Sequence, residues 1–165
     1  MITISEAGAE DFPVIQKIAY ETWLVAYGNI LSKIQLDYML RKFYSDEMLT
    51  KNLRQKRHLF LLAGDANGTF GFASYEHQYE QQPVTRLHKL YVQPAAQRKG
   101  AGKALLDEVE IRAIENRADT VSLNVNRFNP ACEFYVRNGY QKIAEIDISI
   151  GEGFLMQDFM MEKKL

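Results

Sequence analysis

The sequence predicts an α+β fold in which one mixed β-sheet is flanked by helices. Three observations carry this reading. Strand-like apolar runs are interspersed with amphipathic runs at helical spacing along the whole chain. The pair Asn67-Gly68 separates two apolar runs, a strong hairpin signal. The 165 residues, 47% hydrophobic and 25% charged, suit one globular domain with a sizeable core, so residues 1–165 are read as a single domain.

Each element has its own signal. Ile2 to Ser5 reads as a first strand. From Asp11 to Tyr27, Ile15, Ile18, Ala19, Thr22, Trp23 and Ala26 recur at helical spacing, and Gly28 ends the run. Ser32-Lys33-Ile34-Gln35 has the form of a capping box ahead of Leu36, Met39, Leu40 and Phe43. Asp46 to Gln55 is a third, short helix with Met48, Leu49 and Leu53 on its apolar face. Leu59 to Ala63 and Thr69 to Tyr79 are the hairpin strands, and Gln81-Gln82-Pro83 interrupts the sheet. In the next strand, closed by Pro94, the aliphatic residues fall at Leu87, Leu90 and Val92. One spacing of three inside a period of two predicts a β-bulge between Leu87 and Leu90. Such a bulge splays a strand from its neighbour, which could admit an extended ligand. Leu105, Leu106, Val109 and Ala113 mark a helix. Leu123 to Asn126 reads as a strand, followed by an Asn-capped turn with Pro130 at the first helical position and a short helix stopped by Gly139. Tyr140 to Ile150 and Phe159 to Lys163 complete the sheet. No repeat, linker or low-complexity tract is present.

Between the bulged strand and the next helix lies Gln97-Arg98-Lys99-Gly100-Ala101-Gly102. A glycine-rich turn opening a helix offers unpaired N–H groups at the positive end of the helix dipole, a ready site for phosphate or pyrophosphate. A Walker loop is excluded, because position 97 is Gln and Ala104 follows Gly102-Lys103. A dinucleotide fingerprint would need glycine where Leu105 stands. Alone, the turn fits an ordinary strand-to-helix connection as well as a phosphate site.

The segments around it add to the signal. Gln97, Gly100 and Gly102 match the pattern Gln/Arg-x-x-Gly-x-Gly/Ala; a helix, a strand and Asn…Ala131…Phe134-Tyr135…Gly139-Tyr140 follow. In this order the chain resembles the GCN5-related N-acetyltransferase (GNAT) superfamily, most clearly from Leu87 to Tyr140. The resemblance implies an acyl-CoA N-acyltransferase fold, with a central, twisted, mostly antiparallel sheet of about six to seven strands flanked by helices. It implies acetyl-CoA as cosubstrate. The pyrophosphate would lie on the backbone of Gln97, Arg98, Lys99, Gly100, Ala101, Gly102 and Lys103, and pantetheine along Leu90, Tyr91 and Val92. Tyr135 would lie near the CoA sulfur. The family's asparagine usually stands three residues before its alanine, whereas Asn129 stands two before Ala131, so Asn126 and Asn129 both qualify as the residue nearest the cofactor.

Acetyl transfer to an amine needs a neutral nucleophile, a polarised thioester carbonyl and a stabilised thiolate. A backbone N–H near Leu90 to Val92 can polarise the carbonyl. Tyr135 is the candidate donor to sulfur. A phenol at about 10 against a thiol at about 8.5 makes full proton transfer uphill by about 2 kcal/mol, so a hydrogen bond to the developing thiolate is the expectation. The plain alternative is a core aromatic beside Phe134. For the base, His88 sits next to the bulge and Glu76 on the preceding strand; His77 and Glu21 are further options, and ordered water with no dedicated base is open. His58, His77 and His88 lack metal-ligand spacing, and no metal is expected. Cys132 reads as a small apolar helix residue.

The expected reaction is direct attack of a primary amine, of a small molecule or a peptide N-terminus, on acetyl-CoA. Trp23 to Tyr44 loosely resembles superfamily members that acetylate polyamines. Tyr20, Trp23, Tyr27, Tyr38, Tyr44, Tyr75 and Phe154 are candidate lining residues, and Glu21, Asp37, Asp46, Glu47 and Glu76 are candidate partners for a cationic acceptor. The alternative is an acyl-CoA-binding module without turnover, against which Tyr135 weighs. A net charge of −1 gives no support for a nucleic-acid or anionic-membrane partner. The single cysteine, Cys132, excludes an internal disulfide, and no apolar run approaches the ~20 residues of a membrane span. A cytoplasmic protein, monomer or homodimer, is expected.

Overall fold

A computed structural model describes residues 1–165. In chain order it contains β1 (Thr3–Ala7), α1 (Phe12–Tyr27), α2 (Lys33–Tyr44), α3 (Asp46–Arg54), β2 (Leu59–Asp65), β3 (Gly68–Glu76), β4 (Val84–Val92), α4 (Ala101–Glu115), β5 (Thr120–Asn126), α5 (Ala131–Arg137), β6 (Gln141–Gly151) and β7 (Phe154–Lys164). The strands form one seven-stranded sheet in the order β1-β2-β3-β4-β5-β7-β6. All neighbours are antiparallel except β4 and β5. That exception follows from the connection: parallel neighbours need a crossover of a dozen or more residues, and α4 supplies it. No helix is long and apolar enough to cross a membrane.

The central strands are buried on both faces, so β2 reads as a continuous apolar run instead of an alternating one. Leu61 and Ala63 turn toward α4, where Leu105, Leu106, Val109 and Ala113 are fully buried. Phe60 and Leu62 turn toward α1 and α2, against Ile15, Ile18, Leu36 and Met39. At roughly 1.5–3 kcal/mol for each large aliphatic side chain, these two clusters dominate the stabilisation.

Several local details depart from the sequence reading. Asp65 pairs with Gly68, so the hairpin turns on Ala66-Asn67, one residue earlier than the Asn67-Gly68 signal suggests. The Asp65 carboxylate accepts the Asn67 N–H at 2.8 Å and takes part in the turn. Ser32 caps α2 by accepting the Gln35 N–H at 3.1 Å, but the Gln35 side chain donates to Leu155 O instead of back to Ser32. Half of the capping box is thus exchanged for a tertiary contact. Gly28 ends α1 in the right-handed region, so the helix stops without a left-handed glycine cap. The third strand stops at Glu76, before the positive φ of Gln78, Glu80 and Gln81. The last strand begins at Phe154, five residues before the expected start.

The bulge falls within the expected interval. Ser74 pairs with Lys89 and Tyr75 with Leu87, which leaves His88 as the extra residue of β4. On its other edge β4 pairs with β5 only from Val84 to Leu87, against Thr120 to Leu123. Beyond that point the two strands part.

Candidate active site

The parting of β4 and β5 opens a cleft of about 1350 Å³. The segment Leu87 to Val92 forms one wall, and Leu123 to Asn126 with the start of α5 forms the other. The N-terminus of α4 closes one end; α1, α2 and the bulge surround the other.

At the α4 end the backbone is shaped by Arg98 (φ 62) and Gly100 (φ 89), and the first helical bond runs from Ala104 N to Gly100 O at 2.9 Å. The six amides of residues 98–103 therefore donate to no acceptor in the protein. A Cβ built on Gly100 would meet nothing within 4 Å, so the space beside the turn is open. Arg98, Lys103 and Arg137 line the same end and add positive charge. Successive free amides, a helix dipole and flanking cations fit a pyrophosphate. Gln97 acts differently, because its Nε2 donates to Val92 O at 3.0 Å and fastens the loop to the end of β4. Lys99 is exposed and outside the cleft lining, while the Ala101 side chain is buried in the core.

Leu90, Tyr91 and Val92 all line the cleft on the stretch of β4 that has lost β5. Tyr135 faces them from α5, buried to 7% exposure, and its hydroxyl makes no hydrogen bond to the protein. Burial raises its pKa well above the ordinary phenol range, so the group remains a donor at neutral pH. Both asparagines line the cleft, but they differ in what they have left to offer. Asn129 accepts from Ala131 N at 2.9 Å and donates to Tyr27 Oη at 3.2 Å. Asn126 accepts from Phe128 N at 3.0 Å, while its Nδ2 has no protein partner. Cys132 donates to Asn126 O at 3.3 Å and serves to hold the turn.

At the bulge His88 Nε2 lies 2.9 Å from Glu76 Oε2. With an ionised Glu76 the proton resides on Nε2, which leaves Nδ1 as the acceptor. Burial lowers the His88 pKa well below the usual imidazole value, and the His58 and Lys89 charges add to this, so His88 is neutral at pH 7. His58, which the sequence offered only as a metal ligand without the right spacing, stacks on it with centroids 3.9 Å apart and shares the same carboxylate oxygen at 3.6 Å. Burial holds the His58 pKa at about 4. Thus the fold gathers two histidines and a carboxylate, with ligand-type atoms within 4.8 Å, from positions that lack ligand spacing in the sequence. Two ring planes only 15° from parallel do not converge on a common ion, and the arrangement suits proton handling better than coordination. His77 turns away and its Nδ1 pairs with Thr85 Oγ1 at 2.8 Å; Glu21 accepts from Gln93 at 2.6 Å, outside the cleft.

The acceptor end differs from expectation in charge. Trp23, Tyr27 and Tyr44 line it, whereas Tyr20, Tyr38, Tyr75 and Phe154 do not. Of the five expected carboxylates only Glu76 lines the cleft; Asp46, for example, accepts from Gln16 at 2.8 Å outside it. Asp158 of β7 is an unforeseen second acid. It is 3% exposed, without a hydrogen bond, and pushed up to about 6 by burial, an effect that Arg127 and Arg86 oppose. Lys42, Lys56 and Lys89 line the same region. Lys89 stands 5.3 Å over the Tyr44 ring with no anionic partner, and burial pulls its ammonium down to about 8.

Comparison with known proteins places this geometry. The acetyltransferase (GNAT) domain family model matches residues 29–163. A spermidine N(1)-acetyltransferase of Thermoplasma acidophilum is 29% identical over 168 residues, covering 99% of this chain and 97% of that protein. An uncharacterized N-acetyltransferase of Bacillus subtilis, YuaI, is 27% identical over 152 residues, covering 91% and 86%. The crystal structure of the PaiA N-acetyltransferase of Thermoplasma acidophilum in complex with coenzyme A superposes with a TM-score of 0.83, at 28% identity over 100% of this chain and 99% of that one.

Proposed function

The chain belongs to the acetyltransferase (GNAT) family and is an acetyl-CoA-dependent N-acetyltransferase; from that premise we propose that it acetylates the primary amine of a small-molecule or peptide acceptor by direct attack within the β4–β5 cleft. The observation that carries the proposal is the row of six partnerless amides at residues 98–103, opening onto a cleft that leads to the Tyr135 hydroxyl. Acetyl-CoA supplies an activated acyl thioester. The chain supplies amides and cations for the diphosphate, and the free β4 edge from Leu90 to Val92 as hydrogen-bonding partner for an extended chain. Asn126, with its Nδ2 free, is assigned to the cofactor in preference to Asn129.

Tyr135 donates a hydrogen bond to the sulfur as negative charge develops there. His88 Nδ1 accepts the amine proton, and Glu76 stabilises the resulting imidazolium through Nε2. Lys56 and Lys89 near this site favour the neutral amine over its ammonium, so the proton His88 takes is the one made acidic by attack on the thioester. The module without turnover is set aside, because family membership and the Tyr135 hydroxyl both point to catalysis. A polyamine acceptor is a second reading, favoured by the spermidine-acetylating relative. The test is thiol release from acetyl-CoA across a panel of diamines, amino acids, neutral amines and peptide N-termini, with the acetylated product identified by mass. Amine-dependent release supports acetyl transfer; no release with any amine class contradicts it.

A further inference from the structure

We propose that the acceptor end of the cleft is an oxyanion subsite, so that the amine acetylated here carries a carboxylate or comparable acidic group held by Lys89. The inference rests on the acetyl-transfer reading above and names the acceptor class for that same site.

Three observations converge. Lys89 lines the cleft over the Tyr44 ring, and no carboxylate or other acceptor contacts its ammonium. Lys89 is half-buried, and a cation partly withdrawn from water is left unbalanced without a counterion. Trp23 and Tyr44, which pack edge to face with centroids 5.6 Å apart, are 4% and 5% exposed, and both line the cleft. Trp23 Nε1–H and the Tyr44 hydroxyl are shut off from solvent and face each other, so they form a dry wall behind the ammonium. Lys89 is the donor at this end that is left without an acceptor. A carboxylate offers lone pairs to it, whereas an ammonium offers none.

The remaining charges agree. Lys42 and Lys56 line the same end. Of the two acids there, Glu76 is engaged by His88 and His58, and Asp158 lies in the field of Arg86 and Arg127. A multiply charged polyamine would bring its distal ammonium toward unpaired Lys89, and the one acid there without a hydrogen bond, Asp158, already lies in the field of Arg86 and Arg127.

The test compares matched short acceptors binding to the CoA-loaded protein: β-alanine, 2-aminoethylphosphonate, β-alaninamide and 1,3-diaminopropane. Either acid is expected to bind at least about tenfold more tightly than the amide or the diamine, a difference of about 1.4 kcal/mol. The two acid arms decide between carboxylate and phosphonate. In Lys89→Met that preference should shrink to about twofold or less, and Lys89→Arg should retain most of it. Should Lys89→Met fail to fold, the wild-type preference and its loss in high salt carry the test. Equal binding of acid and amide, tighter binding of the diamine, or a preference unchanged in Lys89→Met overturns the proposal. Acid preference in binding with no turnover of any amine contradicts acetyl transfer and leaves the subsite standing.

Discussion

Tyr135 and His88 carry opposite demands at the residue scale. Tyr135 has to keep its proton and lend it, and burial among Phe134, Tyr140 and the cleft wall holds it protonated. Tyr135→Phe preserves the ring packing and removes the donor. The chemical step, measured under single-turnover conditions, should slow by roughly tenfold to a hundredfold or more, with little change in acetyl-CoA affinity. Unchanged single-turnover rates would reduce Tyr135 to a packing residue. The stacked pair His58 and His88 leaves a different signature, in stability. Their folded pKa values are depressed, His58 to about 4, while in the unfolded chain both titrate near the ordinary imidazole value. Below about pH 6.5 the unfolded chain therefore binds protons that the folded chain does not, so stability is full at neutral pH and falls as pH drops, by up to about 1.4 kcal/mol per pH unit for each histidine. Denaturant unfolding of the wild type against His58→Phe between pH 7 and 5 measures it. The variant should show the shallower slope, and equal slopes would count against the buried neutral imidazole.

The elements that build the site were legible in unequal measure. The bulge was visible because aliphatic spacing breaks period two between Leu87 and Leu90, and a bulge needs no partner strand to be noticed. The turn of residues 97–102 was visible because glycines that free a backbone are themselves the signal. His58 was hidden by register. Counted back from Asp65 opposite Gly68, His58 faces Tyr75; the irregularity at Ala63/Gly64 shifts the pairing by one and brings it level with Glu76. Asp158 was missed because the apolar signal of the last strand starts at Phe159, one residue later, and a short apolar signal says little about where a strand begins. The loop also gives a direct test. Gly100→Val forces a β-branched residue into a left-handed conformation, costing about 1–2 kcal/mol of stability, and puts a side chain in the open space beside the free amides. CoA affinity by calorimetry should fall at least about tenfold. Gly153→Val supplies the control: it has positive φ and nothing within 4 Å, but lies away from the cleft. It should lose stability and keep affinity. Equal losses of affinity in the two variants would show that strain alone is being measured.

For the molecule as a whole, the site is a consequence of topology. A seven-stranded sheet with one parallel pair, linked by α4, places the helix N-terminus beside the point where that pair separates. The helices on either face pack on the central strands through two apolar clusters, which fix where the separated edges lie. The fold class was therefore readable from alternating elements and one motif. The charge of the acceptor end was not, because it depends on which side chains of several strands and helices face inward together. Carboxylates that are close in sequence, such as Asp46 and Glu47, fall outside the cleft, while Lys89 and Trp23, distant in sequence, both line it.

The most direct measurement is backbone hydrogen exchange with and without saturating acetyl-CoA. Amides of residues 98–103, which have no protein acceptor, and those on the unpaired edge of β4 from Leu90 to Val92 should slow markedly on binding. Amides in β6 and in the C-terminal half of α4 should show only the smaller, uniform slowing that ligand binding gives through global stability. Saturable acetyl-CoA binding that leaves residues 98–103 exchanging as fast as in the free protein would contradict the account.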